Sequence, residues 1–558
     1  MHFPGLIAAA FFCCLALTAC GGGGGGATST GSNFSSSANT TTTVSGKVTF
    51  DLVPIALTGS QPRLDYTAIA RRPARSVIVE AVDSTSQAVL ATASTNAAGD
   101  YTLAVPGGTA LFIRALAKMN TVGAAPAVFS VVDNTSGGAQ WAIGGAVFAS
   151  GAAAALTQDL NAGSGWTGTA YDNARRAAGP FAILDTVHDA ALKIVASDAA
   201  VMFPALDLNW SPNNIAASGS LTMGQIGTSF FSTSTTNNVV SRRIYVLGAA
   251  DNDTDEYDRH VVAHEFGHYL QNAFSRDDSI GGAHGGSNDR LDMRVAFSEG
   301  WGNAWSAIAL NDPIYSDTNN RGQASGGSFD VSVNDGTNPG WFKEPSVQKI
   351  FWDLASSPSI GFTKVWLTLT NGLKSNAALT SIHSFARALT TATPTAGAAT
   401  AAILAAQSIA LPSSSYADNE TNFSRPAIAN LSPIYLQYVS PGSVLTNICT
   451  DSGADAGRSG NKAGEYRYVR LTLPQSGSRT FTVSQTSSSS GISDPDFVIY
   501  GNAGSILSSN GTTDSSREVA SSNLAAGEYV MVITDYNLYS APDRSRLNSS
   551  SCFTLTIQ

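Results

Sequence analysis

Residues 261–274 read VVAHEFGHYLQNAF, and the pattern His264-Glu265-Phe266-Gly267-His268 inside it governs how the rest of the chain is understood. On an α-helix, residues i and i+4 share a face, so both imidazoles can address one ion while Glu265 stands beside them. Val262, Phe266, Tyr269, Leu270 and Ala273 supply an apolar side on which such a helix can be buried. Two histidines four apart also arise by chance, so the surroundings must supply more. A catalytic zinc takes three protein ligands and keeps a fourth position for water. The extended pattern HExxHxxGxxH fails here, because Gln271 and Phe274 stand where its glycine and third histidine belong. The inverted order H-x-x-E-H is absent as well. Further on, the helical stretch AFSEGWGNAWSAIA offers one carboxylate, Glu299, among Phe297, Trp301, Ala304 and Trp305. Gly300 and Gly302 each cost about 1 kcal/mol inside a helix, which implies that something approaches closely there.

Glu299-Gly300-Trp301-Gly302, a few tens of residues after H-E-x-x-H, resembles the fungalysin-type gluzincins of the thermolysin group of zinc metallopeptidases. The resemblance implies an α+β zincin-like catalytic domain in which one Zn2+ is held by His264, His268 and Glu299, and Glu265 activates its water. In that group an Asp four residues after the third ligand orients a zinc-bound histidine. Asn303 stands at that place, keeping an acceptor but losing the charge that raises ligand basicity, so a somewhat weaker metal site is expected. The group also stabilises the oxyanion with a downstream His or Tyr. His284 in GGAHGG, Tyr315 in DPIYSD and His383 are the candidates. His284 is favoured, because its glycine-flanked loop between the two ligand helices can approach the metal. His260, one turn before His264, reads as a satisfied histidine on the surface or behind the ligands rather than a fourth ligand.

Around this centre the texture is β-rich and polar. The 558 residues are too many for one core, and only 13% are charged, which suits a secreted protein. A formal charge of −10 with no basic cluster excludes a nucleic-acid partner. GLIAAAFFCCLALTAC at the N-terminus has an apolar run too short to span a bilayer and a small-residue cleavage site. Leu17-Thr18-Ala19-Cys20 resembles the lipobox of bacterial lipoproteins. That implies a signal peptide over residues 1–19, lipidation of Cys20, membrane attachment, and an envelope location (outer membrane in a Gram-negative host) facing periplasm or exterior. Residues 20–43 read as a Gly/Ser/Thr-rich tether. Cys449 and Cys552 remain as an even pair near the two ends of the last domain, expected to form a disulfide in an oxidising compartment.

The expected fold class is multidomain, with the zincin-like domain flanked by two antiparallel β-sandwiches. Residues 44–118 carry short alternating runs and resemble the carboxypeptidase regulatory-like module. Residues 119–165 are an Ala/Gly-rich connection, and residues 166–415 form the metallopeptidase domain. Residues 430–558 return to period-two alternation in EYRYVRLTLP, PDFVIYGN and GEYVMVITDY, resembling the bacterial pre-peptidase C-terminal domain. Calcium is a further conceivable ligand. The acidic stretch 251–260, DNDTDEYDRH, lacks the EF-hand loop pattern and reads more plainly as helix N-terminal charge, and Asp494 and Asp496 read as turn residues. Together these readings point to zinc-dependent hydrolysis of extracytoplasmic peptides or proteins. The alternative is a catalytically inactive surface-binding or adhesion lipoprotein that works through its sandwiches.

Overall fold

Alternation builds the first strand, Thr41–Leu52, whose Val44, Val48 and Phe50 are fully buried while their neighbours face outward. It pairs antiparallel with Asp100–Pro106 and Ala70–Pro73, and parallel with the short strands Ala155–Thr157 and Leu160–Ala162. The computed structural model describes residues 41–558 except 152–154, 286–288, 335–336, 424–430, 439–440, 452–459, 503, 510–515 and 540–547. The expected signal peptide, Cys20 and nearly all of the tether lie outside the described residues. Among those described, no helix is long and apolar enough to cross a membrane.

The second sheet does not respect a boundary at residue 118. Its main path runs, in spatial order, Phe230–Thr236, Val239–Val246, Phe203–Trp210, Ala125–Asp133, Ala110–Val122, Val77–Asp83, Val89–Ser94. Residue 118 falls inside the strand Ala110–Val122, and the stretch read as an Ala/Gly-rich connection supplies its hairpin partner, Ala125–Asp133. Phe203–Trp210 then docks parallel on that partner, so the N-terminal strands and the sheet behind the helices are one continuous layer. The reason is chemical. Ala115, Ala117, Ala125 and Ala127 carry much of the inward alternation in this hairpin, and alanine has too little apolar area to stand out in composition.

Among the described residues of the central region follow the α-helices α1 (Ala178–Ser197), α2 (Arg259–Phe274), α3 (Met293–Leu310), α4 (Glu344–Ser356), α5 (Gly361–Leu367), α6 (Ile382–Ala392) and α7 (Gly397–Ala406). α3 packs between α2 and α4 and is buried from Met293 to Ile308, the behaviour of a helix with no solvent face. A small sheet of Gly248–Ala249, Asp253–Thr254, Ile314–Asn319 and Ser325–Asp330 lies before α2 and after α3 in sequence, joining the start of one to the end of the other.

The C-terminal region is a two-sheet sandwich with a core of its own, built from residues such as Ile448, Phe481 and Phe553 on one sheet and Val469, Ile499 and Met531 on the other. It is not wholly antiparallel, since Tyr435–Tyr438 runs parallel to Tyr466–Leu473. Cys449 and Cys552 are directly paired across Val444–Asp451 and Ser550–Ile557 and are joined by a disulfide, S–S 2.09 Å. The sandwich is clamped onto the start of α3. Asp292 caps that helix by accepting the Arg294 N–H (3.0 Å), and also accepts the Tyr468 hydroxyl. The Arg294 guanidinium lies 5.0 Å from the Tyr466 ring centre and 5.6 Å from that of Tyr468.

Candidate metal centre

α2 and α3 pack closely enough to bring three acceptor atoms together. His264 Nε2 and His268 Nε2 each lie 3.3 Å from Glu299 Oε2 and 3.0 Å from one another. Ligands held about 2.0–2.1 Å from a tetrahedral zinc stand roughly 3.3 Å apart, so the spacing fits that ion. The close approach depends on glycine. A Cβ at Gly302 would stand 2.7 Å from His264 Cε1, and one at Gly300 would stand 2.6 Å from Val347 Cβ on α4.

Each imidazole is held by its other nitrogen. His264 Nδ1 donates to Asn303 Oδ1 (2.8 Å), whose orientation is fixed because its Nδ2 donates to Glu344 Oε1 (2.7 Å) and Gln348 Oε1 (2.9 Å). His268 Nδ1 meets Ser298 Oγ (3.2 Å), and that hydroxyl donates to Gln271 Oε1 (3.1 Å). Both partners therefore select the Nδ1–H tautomer and leave two Nε2 lone pairs and a carboxylate oxygen facing one another. Such a set repels itself unless a proton or a metal cation sits among the three atoms, and imidazole with carboxylate is a zinc donor set. Burial alone would raise Glu299, but His268, His264 and His284 together hold its carboxyl well below the usual range. Burial works against charge on His268 too, and Glu299 and Glu265 outweigh it, raising that imidazole to about 9.

Glu265 is buried and does not join the three converging atoms. Burial pushes its pKa up, with His264 and His268 pulling the other way, and it accepts a backbone hydrogen bond from Phe231. Phe231 belongs to Phe230–Thr236, the outermost strand of the large sheet. Glu265 and this strand line one cleft of about 780 Å³, together with His264, His268 and Glu299.

The structure sorts the other candidates. His284 enters the cleft, its Nε2 3.4 Å from Glu299 Oε2 and its Nδ1 3.1 Å from Glu344 Oε2. Burial would lower it, but Glu344 and then Glu299 raise it to about 9. It stands outside the group of three whose ligand atoms all lie within 4.8 Å of each other. Tyr315 lines the same cleft, its ring edge-on to His264 with centroids 6.2 Å apart. His383 is buried elsewhere against Glu420 (2.8 Å), and His260 is buried with its Nε2 on the carbonyl of Asp312 (3.1 Å). Asp496 sits in the C-terminal sandwich, where burial and then Asp494, Glu518 and Asp535 raise it to about 7.

Asn303 takes on a different meaning from the one its residue type suggested. The missing negative charge lies one residue further out, on Glu344, which Asn303 and His284 share. Glu344 opens α4, 60 residues after His284, and no spacing rule ties the two. Ser298 and Gln271 sit beside recognisable ligands, one position before Glu299 and three after His268, and were legible only once those helices were packed.

A scan against family models finds none that matches, and a search of curated proteins finds no match. Among solved structures, the chain is similar to the pre-peptidase C-terminal domain of a collagenase from Bacillus anthracis, at 10% identity and TM-score 0.16, covering 22% of this chain and 94% of that one. It is also similar to PliG of Aeromonas hydrophila, a periplasmic inhibitor of g-type lysozyme, at 16% identity and TM-score 0.15, covering 22% and 96%. A family 35 carbohydrate-binding module from Clostridium thermocellum matches at 15% identity and TM-score 0.12, covering 20% and 97%.

Proposed function

We propose that this chain is a zinc metallopeptidase, gluzincin-like in its ligands, that hydrolyses peptide bonds in extracytoplasmic peptides or proteins. The observation that carries the reading is the tetrahedral spacing of His264 Nε2, His268 Nε2 and Glu299 Oε2 beside a buried Glu265. Zinc bound there supplies an acidified water and a polarised scissile carbonyl. Glu265, whose pKa burial raises, takes the proton of the attacking water as its oxygen bonds to the carbonyl carbon. When the C–N bond breaks, the same carboxyl delivers that proton to the leaving amine. His284, between Glu344 and Glu299, is the group this reading assigns to the developing oxyanion. Among the described residues Phe230–Thr236 is an edge strand, which favours an extended peptide over a compact small molecule, since main-chain groups there can pair with a further strand. Attachment through lipid on Cys20 belongs to the same proposal.

The test compares the purified protein with Glu265→Gln on a diverse peptide mixture, products being read by mass spectrometry and zinc by elemental analysis. Both proteins should carry one zinc, and cuts made by the native protein should be missing with the variant. Identical product profiles would remove the catalytic reading and leave a binding protein that keeps a metal.

A further inference from the structure

A second group of convergent donors lies in the same cleft, of a different chemistry. Asp253 is in the short strand Asp253–Thr254, Asp255 opens the turn that leads into α2, and Asp317 is in Ile314–Asn319. One carboxylate oxygen from each lies within 4.8 Å of the others. No nitrogen or sulfur ligand joins them, and among the described residues no lysine or arginine pairs with any of the three.

The independent sign of a ligand is what these oxygens lack. Asp255 is 3% exposed, and its Oδ1 has no hydrogen-bond donor, while its other oxygen accepts from Ser229 Oγ. Asp253 Oδ1 and Asp317 Oδ1 are likewise shut off from solvent without a donor. Gln323 is fully buried in the turn packed on Asp253–Thr254, and its Oε1 is a further uncompensated acceptor in that neighbourhood. Four buried acceptors without donors destabilise a fold unless something compensates them. Helix N-terminal charge does not absorb the acids, because Asp258, at the cap position of α2, turns away and accepts from Thr318 N (2.8 Å) and Thr318 Oγ1 (2.9 Å). Burial first and mutual repulsion next push Asp253 up to about 7, and burial raises Asp317 to about 6.

We propose that Asp253, Asp255 and Asp317 form a second cation site, selective for Ca2+, that ties the start of α2 to the strand Ile314–Asn319. An oxygen-only, carboxylate-rich set suits a hard cation, and strands and a turn give the irregular shell that calcium accepts more readily than magnesium. The ion would be structural for the cleft. It fixes Asp317 two residues from Tyr315, whose ring stacks on Phe329 with centroids 4.7 Å apart on the wall facing Glu265. The site stands whether or not the His264 centre is catalytic.

The test is thermal unfolding of the full-length protein, stripped of metal by chelation and titrated with calcium chloride alone or magnesium chloride alone. Calcium should raise Tm by several degrees in a saturable way, with magnesium much less effective. Asp317→Asn should abolish the calcium response. Because it removes one of three repelling carboxylates, it should also unfold at a higher temperature than the stripped native protein. Asp255→Asn is the second variant, with the same two expectations, and a far-UV circular dichroism spectrum matching that of the native protein shows that the fold survives in both variants. A native protein indifferent to calcium, equal responses to both ions, a calcium shift that persists in the variants, or variants less stable than the stripped native protein would each overturn the proposal.

Discussion

The two walls that meet at Glu299 are held in opposite ways. On one side, α2 and α3 present His264, His268 and Glu299 from helices buried along almost their whole contact, with Gly267 and Gly302 letting the backbones close. On the other, His284 arrives on a glycine-flanked loop whose anchors come from another part of the chain. Asn461 Nδ2 donates to Gly281 O (2.9 Å) and Ala283 O (3.0 Å), and Lys462 Nζ donates to Ala283 O (2.8 Å). The donor set is thus fixed by the core of the central region, and the loop that carries His284 is anchored by the C-terminal region, while the His284 ring itself rests on Glu344 and Glu299. That difference teaches where function is separable: metal binding should follow the helices, and turnover should follow the sandwich as well.

The largest effect is expected from breaking the helical wall. Gly302→Ala places a methyl group 2.7 Å from the His264 ring, which cannot retreat without leaving Asn303. Overpacking of this kind costs about 1–3 kcal/mol, and here the strain falls on a ligand. Zinc content should fall from one per chain towards zero, with hydrolysis falling roughly a thousandfold or more. Retention of a full zinc with normal activity would mean that α2 and α3 are less tightly fixed than their packing implies.

Asn303→Asp sharpens the same comparison, because residue type and structure predict opposite outcomes. By type, an Asp restores the charge that makes a histidine a better ligand. In the structure, Asn303 Nδ2 donates to Glu344 Oε1 at 2.7 Å, so an Asp would set two buried carboxylates against each other. The expected result is a lower Tm and zinc affinity about 10–100-fold weaker, measured by competition with a chromophoric chelator. A tighter site would show that Glu344 can turn away, and His284 should then lose its Nδ1 partner.

What could be read beforehand follows this division. His264 and His268 are four apart, so helical periodicity carries them, and Glu299 is carried by the resemblance of Glu299-Gly300-Trp301-Gly302 to the gluzincin pattern. The C-terminal strands PDFVIYG and GEYVMVITD alternate with large side chains and read as strands for the same reason. The run ALFIRALAK reads as a strand, but its partner Ala125–Asp133 falls in the stretch read as a connection, where Ala125 and Ala127 begin the inward alternation. Contacts of long sequence separation leave no local trace. His284 meets Glu344 across 60 residues, Asp253 and Asp255 meet Asp317 through the pairing of Asp253 with Asn319, and Asn461 reaches Gly281 across 180. In each case tertiary packing supplies the partner, and the residue types alone are ordinary surface choices.

The smallest effect expected is at the loop, and it is the most informative about the sandwich. Asn461→Ala removes both donors to the loop carbonyls while leaving Lys462 Nζ on Ala283, so His284 should wander rather than leave. Loss of about 10-fold in kcat is expected, since a displacement near 1 Å can cost up to about a hundredfold. Zinc content and KM should stay unchanged, because the donor set stands on α2 and α3 and the edge strand belongs to the large sheet. Asn461→Asp separates position from hydrogen bonding, since its carboxylate would face the carbonyls of Gly281 and Ala283 and push the loop away. A kcat lower than that of the alanine variant at equal zinc content would tie turnover to this contact. If both variants keep the native kcat, His284 is held well enough by Glu344 and Glu299 alone, and the sandwich is a partner of the fold rather than of the reaction.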